Sequence, residues 1–193
     1  MADVQALRRP ATAGIALVSD ARSVTLAPVH ELARFAVRAD PDAAAEIGRA
    51  FGCALPTEPL RSASGDGRTA LWLGPDEWLL LAEDAEPETL TREIAAALGE
   101  RAFSWVDVSH RNAGFHLSGP RAAEVLNVGC PLPLDLAAFP VGKCTRTLFG
   151  KAEIVLWRVG GSAFRIEVWR SFASYLAGLV ADAAREHQVA IER

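Results

Sequence analysis

Asp107, Asp135, His110 and His116 are the side chains of this chain best suited to moving protons. Either aspartate can serve as acid, base or hydrogen-bonding carboxylate, but 28 positions separate them and no local pattern couples them. The two histidines lie six apart, an even spacing that in extended chain puts both rings on one face. A metal site needs a third or fourth ligand, and structural zinc usually brings close Cys or His pairs. Neither stands nearby, and His30 and His187 reach the pair only through the fold, so hydrogen-bonded strand or surface histidines are expected. Cys53, Cys130 and Cys144 have no CxxC spacing and no flanking context that marks a depressed pKa. No GxSxG elbow or HExxH helix is present. The string GDGRTA at 65–70 has the letters of a dinucleotide fingerprint in the wrong place. Its glycines precede the strand at 70–73 instead of following a strand and opening a helix, which reads as a loop. Glu167 faces opposite Ile166 and Val168 and is expected to be exposed or paired. None of these features demands an enzyme, although a ligand site assembled from distant loops leaves no local motif.

The elements that would position these groups occur twice. In RFAVRADPDAAAEIGRAFGCALP, from Arg34, Phe35 and Val37 alternate as on a half-buried strand. Asp40 then caps a helix that Pro41 opens, Ala43, Ile47, Ala50 and Phe51 form its apolar face, and Gly52 stops it. In GFHLSGPRAAEVLNVGCPLP, from Gly114, Phe115 and Leu117 alternate and Pro120 opens a helix with Ala122, Val125 and Leu126 on its face. The hairpins ALWLGPDEWLLLA at 70–82 and IVLWRVGGSAFRIEV at 154–168 extend the likeness, pairing Trp72 with Trp157 and Trp78 with Phe164. These four aromatics are expected in the core. Each hairpin leads into an amphipathic helix, with Leu90, Ile94, Ala97 and Leu98 on one stripe and Phe172, Tyr175, Leu176, Leu179, Val180 and Ala183 on the other. Further strands are expected at 103–109 and 144–149, and a short hairpin over 14–18 and 23–27. The fold class is α+β: two pseudo-symmetric strand-helix-hairpin-helix halves with mainly antiparallel sheet. The division expected is an arm at 1–12, a first half at 13–102 and a second at 103–193, packed as one unit.

Composition narrows the partners. A chain of 193 residues buries about 70% of its unfolded surface and needs no staples. Its formal net charge of −4 and the absence of any Lys/Arg run argue against nucleic acid or an anionic membrane as partner. Apolar runs such as 78–82 fall far short of the roughly 20 residues a membrane helix needs. Three cysteines and no charged-plus-apolar start predict a reducing cytoplasm and no disulfide. The 18 arginines against two lysines read as an Ala- and Arg-rich codon bias.

The ordered set VDVSHRNAGFHLSGPRAAEVLNVGCP, FPVGKC and KAEIVLWRVGGSAFRIEVWRSFASYL, with the earlier GPDEWLLLA, resembles the gamma subunit family of heterotetrameric sarcosine oxidase from about residue 30 onward. That family is similar in turn to the folate-binding half of the glycine-cleavage T-protein, whose comparable segment begins with an Asp-Val-Ser-His like Asp107 to His110 here. The resemblance implies paired, related halves, in agreement with the repeat. It implies an oxidase complex that demethylates sarcosine to glycine, consumes oxygen, and yields hydrogen peroxide and a one-carbon unit captured by tetrahydrofolate. FAD, FMN and NAD then belong to the larger subunits and zinc to the delta subunit. This chain carries no redox centre, catalytic residue or metal ligand in that picture, and it packs against the T-protein-like region of alpha in a complex with beta and delta. A rival reading is a stand-alone folate-binding or aminomethyltransferase-like protein with Asp135 hydrogen-bonding the pterin. The inserted Pro-Leu-Pro-Leu before Asp135 departs from the T-protein pattern, and a pocket completed by that protein's further C-terminal domain would be incomplete here. For a subunit interface the candidates are the arm, Trp105 and Trp169.

Overall fold

A computed structural model describes residues 10–15, 18, 23–30, 32–83 and 86–188. Among the described residues ten strands and four α-helices follow one another as β1 (Thr25–Pro28), β2 (Ala33–Ala39), α1 (Pro41–Phe51), β3 (Ser62–Gly65), β4 (Arg68–Gly74), β5 (Glu77–Ala82), α2 (Pro87–Leu98), β6 (Phe103–Asp107), β7 (Asn112–Ser118), α3 (Ala122–Asn127), β8 (Cys144–Phe149), β9 (Ala152–Gly160), β10 (Ala163–Trp169) and α4 (Ala173–Gln188). All named pairings are antiparallel.

Two five-stranded sheets result, in the orders β3-β4-β5-β2-β6 and β8-β9-β10-β7-β1. The orders match element for element, and the edge strands are exchanged. β1 lies near the start of the first half in the chain yet pairs with β7 of the second, while β6 opens the second half and pairs with β2 of the first. The registers correspond: Trp105 lies opposite Val37 and Leu26 opposite Leu117, so partners 79 and 80 residues apart take equivalent places. At the other edge Arg61 bridges Lys143, and these two are equivalents by register. A residue pairing with its own equivalent marks a local two-fold axis. The matched hydrogen bonds Ser62 N to Gly142 O (3.0 Å) and Cys144 N to Leu60 O (2.9 Å) straddle it.

Each sheet buries one face under its own helices. Phe35, Val37, Trp78 and Leu80 meet Ala43, Ile47, Leu90 and Ile94 in one core, and Phe115, Leu117, Phe164 and Ile166 meet Val125, Leu126, Leu176 and Val180 in the other. The opposite faces close on each other through Leu71, Leu79, Leu81, Val108 and Cys144. The layers therefore run helix, sheet, sheet, helix, with strand alternation deciding which core each side chain enters.

Local signals act as their chemistry requires. Asp40 accepts from Ala43 N at 2.8 Å and Pro41 opens α1, which ends at Gly52 with φ 77°. Gly65-Asp66-Gly67-Arg68 makes the β3–β4 hairpin, Asp66 and Gly67 both taking positive φ at the turn, so the glycine string serves a strand reversal. Several expectations need correction, among them Tyr175, which is exposed on α4, and Pro120, which stands two residues ahead of α3. Trp72 and Trp157 are not equivalent, because the registers pair Trp157 with Leu71's place; Trp72 packs toward the helices and Trp157 between the sheets, both half-buried. A shift of one residue sends a side chain to the other face. Ala97 is exposed, and Leu90, Ile94 and Leu98 alone carry the buried stripe of α2. Of the hairpin expected over 14–18 and 23–27, residues 16 and 17 lie outside the described residues; Thr25–Pro28 is a strand, and Leu26 N donates to Val18 O at 2.8 Å. Of the arm at 1–12, residues 1–9 lie outside the described residues. None of the described helices is long and apolar enough to cross a membrane.

Candidate functional site

A cleft of about 710 Å³ opens where the two sheets meet at the starts of β2 and β7. It lies on the local two-fold: Ala33 and Ala113, and Arg34 and Gly114, are equivalent pairs along its wall. The backbone repeats this symmetry, with Val108 N donating to Arg34 O at 2.8 Å and Val29 N to Gly114 O at 2.9 Å.

Behind Arg34 and Gly114, which line the cleft, a polar cluster lies between the sheets' facing sides. Glu167 on β10 is fully buried; its Oε2 accepts from Arg34 Nε at 2.6 Å and its Oε1 from Arg165 Nε at 2.8 Å. Two guanidinium groups thus share one carboxylate across the seam of the halves. Gly114 makes room for this, since a Cβ there would lie 2.7 Å from Glu167 Oε1 and 2.9 Å from Arg34 Nη2. Such a buried cluster costs desolvation that close contact and multiple hydrogen bonds must offset. It is a strong orienting device and a weak source of net stability.

Asp107, Ser109 and His110 form one wall. Asp107 ends β6, and its Oδ1 accepts from Ser109 N at 2.8 Å and Ser109 Oγ at 2.5 Å; that hydroxyl accepts from Arg34 N at 2.9 Å. The Asp-Val-Ser-His stretch therefore fastens β6 to β2, with both polar side chains occupied in the fastening. Glu83, Glu86 and Glu88 line the other side, and His30 and Arg170 complete the rim. Four carboxylates on its walls against Arg170 and the already paired Arg34 give the cleft an acidic balance, which disfavours a pyrophosphate.

The other sequence candidates lie elsewhere. Asp135 is exposed and does not line the cleft; its Oδ1 accepts from Ala137 N at 3.0 Å and Ala138 N at 2.9 Å, closing a turn. Those backbone bonds, the one from Ala138 foremost, hold its carboxyl below the usual range. His110 stands in the β6–β7 turn and His116 on β7 opposite Arg165, so they do not share a strand face. Partial enclosure, and next Arg165, keep His116 below the ordinary imidazole pKa. Burial pushes the Cys144 thiol up to about 12 between the sheets, and burial also raises Cys53. Trp105 stacks on Phe35 with ring centroids 4.3 Å apart and donates from Nε1 to Thr91 Oγ1 at 3.1 Å, packing β6 against α2. Trp169, at the end of β10, is 46% exposed. Among the described residues no three of His, Cys, Asp and Glu come together in a way that could hold a metal ion.

Sequence reading missed Arg34, Arg165 and Gly114. The legible trace was Glu167 itself, a carboxylate set between buried Ile166 and Val168 on a central strand, which requires cations from neighbouring strands.

The duplicated α+β sandwich is a fold shared with an aminomethyltransferase of known structure. The glycine cleavage system aminomethyltransferase T from Bartonella henselae matches with a TM-score of 0.63 at 14% identity, over 88% of this chain and 54% of that one. At that identity the likeness is one of fold. The family model "Sarcosine oxidase, gamma subunit family" matches residues 36–186, and the chain belongs to that family. Sarcosine oxidase subunit gamma of Corynebacterium sp. (strain U-96) is 34% identical over 200 aligned residues, covering 98% of this chain and 96% of that protein. A chain of the heterotetrameric sarcosine oxidase from Corynebacterium sp. U-96, solved with pyrrole 2-carboxylate, matches with a TM-score of 0.88 at 32% identity, over 96% and 99% of the two chains.

Proposed function

We propose that this chain is the non-catalytic gamma subunit of a heterotetrameric, sarcosine oxidase-type complex. The observation that carries the reading is the end-to-end likeness to one chain of such a heterotetramer, with neither partner of the match left substantially uncovered. The complex oxidatively demethylates sarcosine to glycine, reduces oxygen to hydrogen peroxide and passes the one-carbon unit to tetrahydrofolate in the cytoplasm. Alpha, beta and delta chains hold FAD, FMN, NAD, folate and zinc, and alpha is the direct neighbour of this chain. Its own contribution is architectural, in that two halves locked by exchanged edge strands and the Arg34–Glu167–Arg165 cluster offer a rigid surface. The acid-lined cleft, unsuited to a pyrophosphate, supports placing the dinucleotide cofactors on other chains.

The test is co-expression of a tagged full chain with the alpha, beta and delta chains of its complex, followed by capture and a flavin spectrum. The reading expects a yellow, sarcosine-oxidising assembly, and a colourless chain when it is expressed alone. A tagged chain that elutes without companions contradicts it.

A further inference from the structure

β6 lies at the margin of its sheet, with no described strand beyond it in the order β3-β4-β5-β2-β6. Val108 N turns inward to Arg34 O at 2.8 Å, so by strand alternation the backbone N–H groups of Trp105 and Asp107 turn outward, away from β2. Neither of these two N–H groups has a hydrogen-bond partner among the described residues. The equivalent place in the other sheet is filled. Leu26, which stands in β1 where Trp105 stands in β6, donates from its outward N to Val18 O at 2.8 Å. One edge of the pseudo-symmetric pair thus meets backbone here and the other does not.

The open edge lacks the usual safeguards, since no Lys, Pro or bulge interrupts Phe103–Asp107. Val106 is 51% exposed on the side where its neighbour Ala36 packs between the sheets. At its last residue β6 runs into the cleft: Asp107 is a wall residue, and Glu83, Glu86 and Glu88 line the same cleft. The arginines of that lining are Arg34, held by Glu167, and Arg170. Arg92 of α2 turns to Thr89 Oγ1 at 3.3 Å, while Arg38, opposite Ser104, is matched by Asp76 and Glu77, and Arg101 by Glu46. With these cations counted, the balance at the Asp107 end of the edge is acidic.

We infer that β6 takes an extended segment of the alpha chain as a sixth strand of its five-stranded sheet, with an apolar side chain beside Val106 and a lysine or arginine at the Asp107 end. In strand addition the main-chain hydrogen bonds supply affinity, here through the outward groups of Trp105 and Asp107, and alternate side chains supply specificity. The inference rests on the reading of this chain as a gamma subunit beside alpha and adds to it the place where the two join.

The test has two arms. The first compares amide hydrogen exchange over 103–107 in the isolated full chain and in the assembly co-expressed with alpha, beta and delta chains. Exchange in the assembly should slow by about tenfold or more, because a bonded amide exchanges only when the structure around it opens. The second arm captures alpha on the tagged full chain as wild type, Val106→Lys and Val128→Lys, the last an equally exposed apolar position just past α3 that serves as control. A lysine within an edge strand opposes strand addition, so Val106→Lys should retain about tenfold less alpha while the control matches wild type. The isolated Val106→Lys chain should melt as wild type does, and the exchange arm needs no variant at all. Equal exchange in the two forms, or wild-type capture of alpha by Val106→Lys, would overturn the added strand and leave the gamma-subunit reading intact. Exchange already slow in the isolated chain would overturn it too, by showing the edge covered by this chain or a second copy. A wild-type chain that captures no alpha would overturn that reading, and this inference with it.

Discussion

Arg34 and Gly114 occupy equivalent places in the two halves, and the guanidinium of the first fills the space that a side chain on the second would take. Nη2 of Arg34 would stand 2.9 Å from a Cβ at position 114. Near the local axis two equivalent long side chains cannot both enter, so the pair is resolved as one large residue and one without a side chain.

Gly114→Ala should therefore displace Arg34 and Glu167 in a packed interior. A loss of about 1–3 kcal/mol is expected from such overpacking, measured by chemical denaturation. A neutral effect would show that the cluster relaxes freely.

Glu167→Ala removes the one carboxylate between two buried guanidinium groups. Stranding buried charge in this way costs about 3–5 kcal/mol, and the unfolding midpoint should fall accordingly. Arg165→Ala, which leaves Arg34 and Glu167 as a matched pair, should cost less.

Pairs such as Phe35 with Phe115 and Trp78 with Phe164 made the duplication legible, because each keeps its phase on a strand and enters the helix-side core. Trp72 and Trp157 misled by one residue: two tryptophans align by letter, while only hydrogen-bond register reveals that they face opposite layers. The exchange of β1 and β6 was hidden for a different reason. Strand alternation says that a face is buried and does not say which sheet supplies the neighbour. Arg34 was hidden in the same way, since an arginine beside an inward Phe35 reads as solvent-facing until a second sheet covers that side. Asp107 was legible as a hydrogen-bonding carboxylate, but the partner that explains it, Ser109, gains its importance from Arg34 N across the sheet.

Cys144 should be inert in the folded protein. With its pKa pushed up to about 12 by burial, about one thiol in a thousand is ionised at pH 9, and the sheets shield it from reagent. Alkylation followed by mass mapping should leave Cys144 unlabelled in native protein and labelled in denaturant. Rapid native labelling would contradict the inter-sheet packing.

Glu77 links the sheets electrostatically. Its hydrogen bond from Arg146 at 2.6 Å is the main cause that holds its pKa below the usual value, with Arg38 contributing at 3.1 Å. A depressed folded pKa contributes stability above the unfolded pKa that is lost as pH falls through the folded one. Glu77→Gln should thus cost about 1 kcal/mol or less at neutral pH, after solvent screening of the exposed arginines. The gap between variant and wild type should close as both are acidified below the carboxylate range. A gap that persists in acid would assign the effect to packing.

Assembly is the central claim, and native mass spectrometry of the co-expressed alpha, beta and delta chains with this one addresses it most directly. The expected species contains one copy of each of the four chains, and this chain leaves it only under dissociating conditions. A spectrum in which this chain appears alone or with copies of itself, while the other three associate without it, would contradict the account.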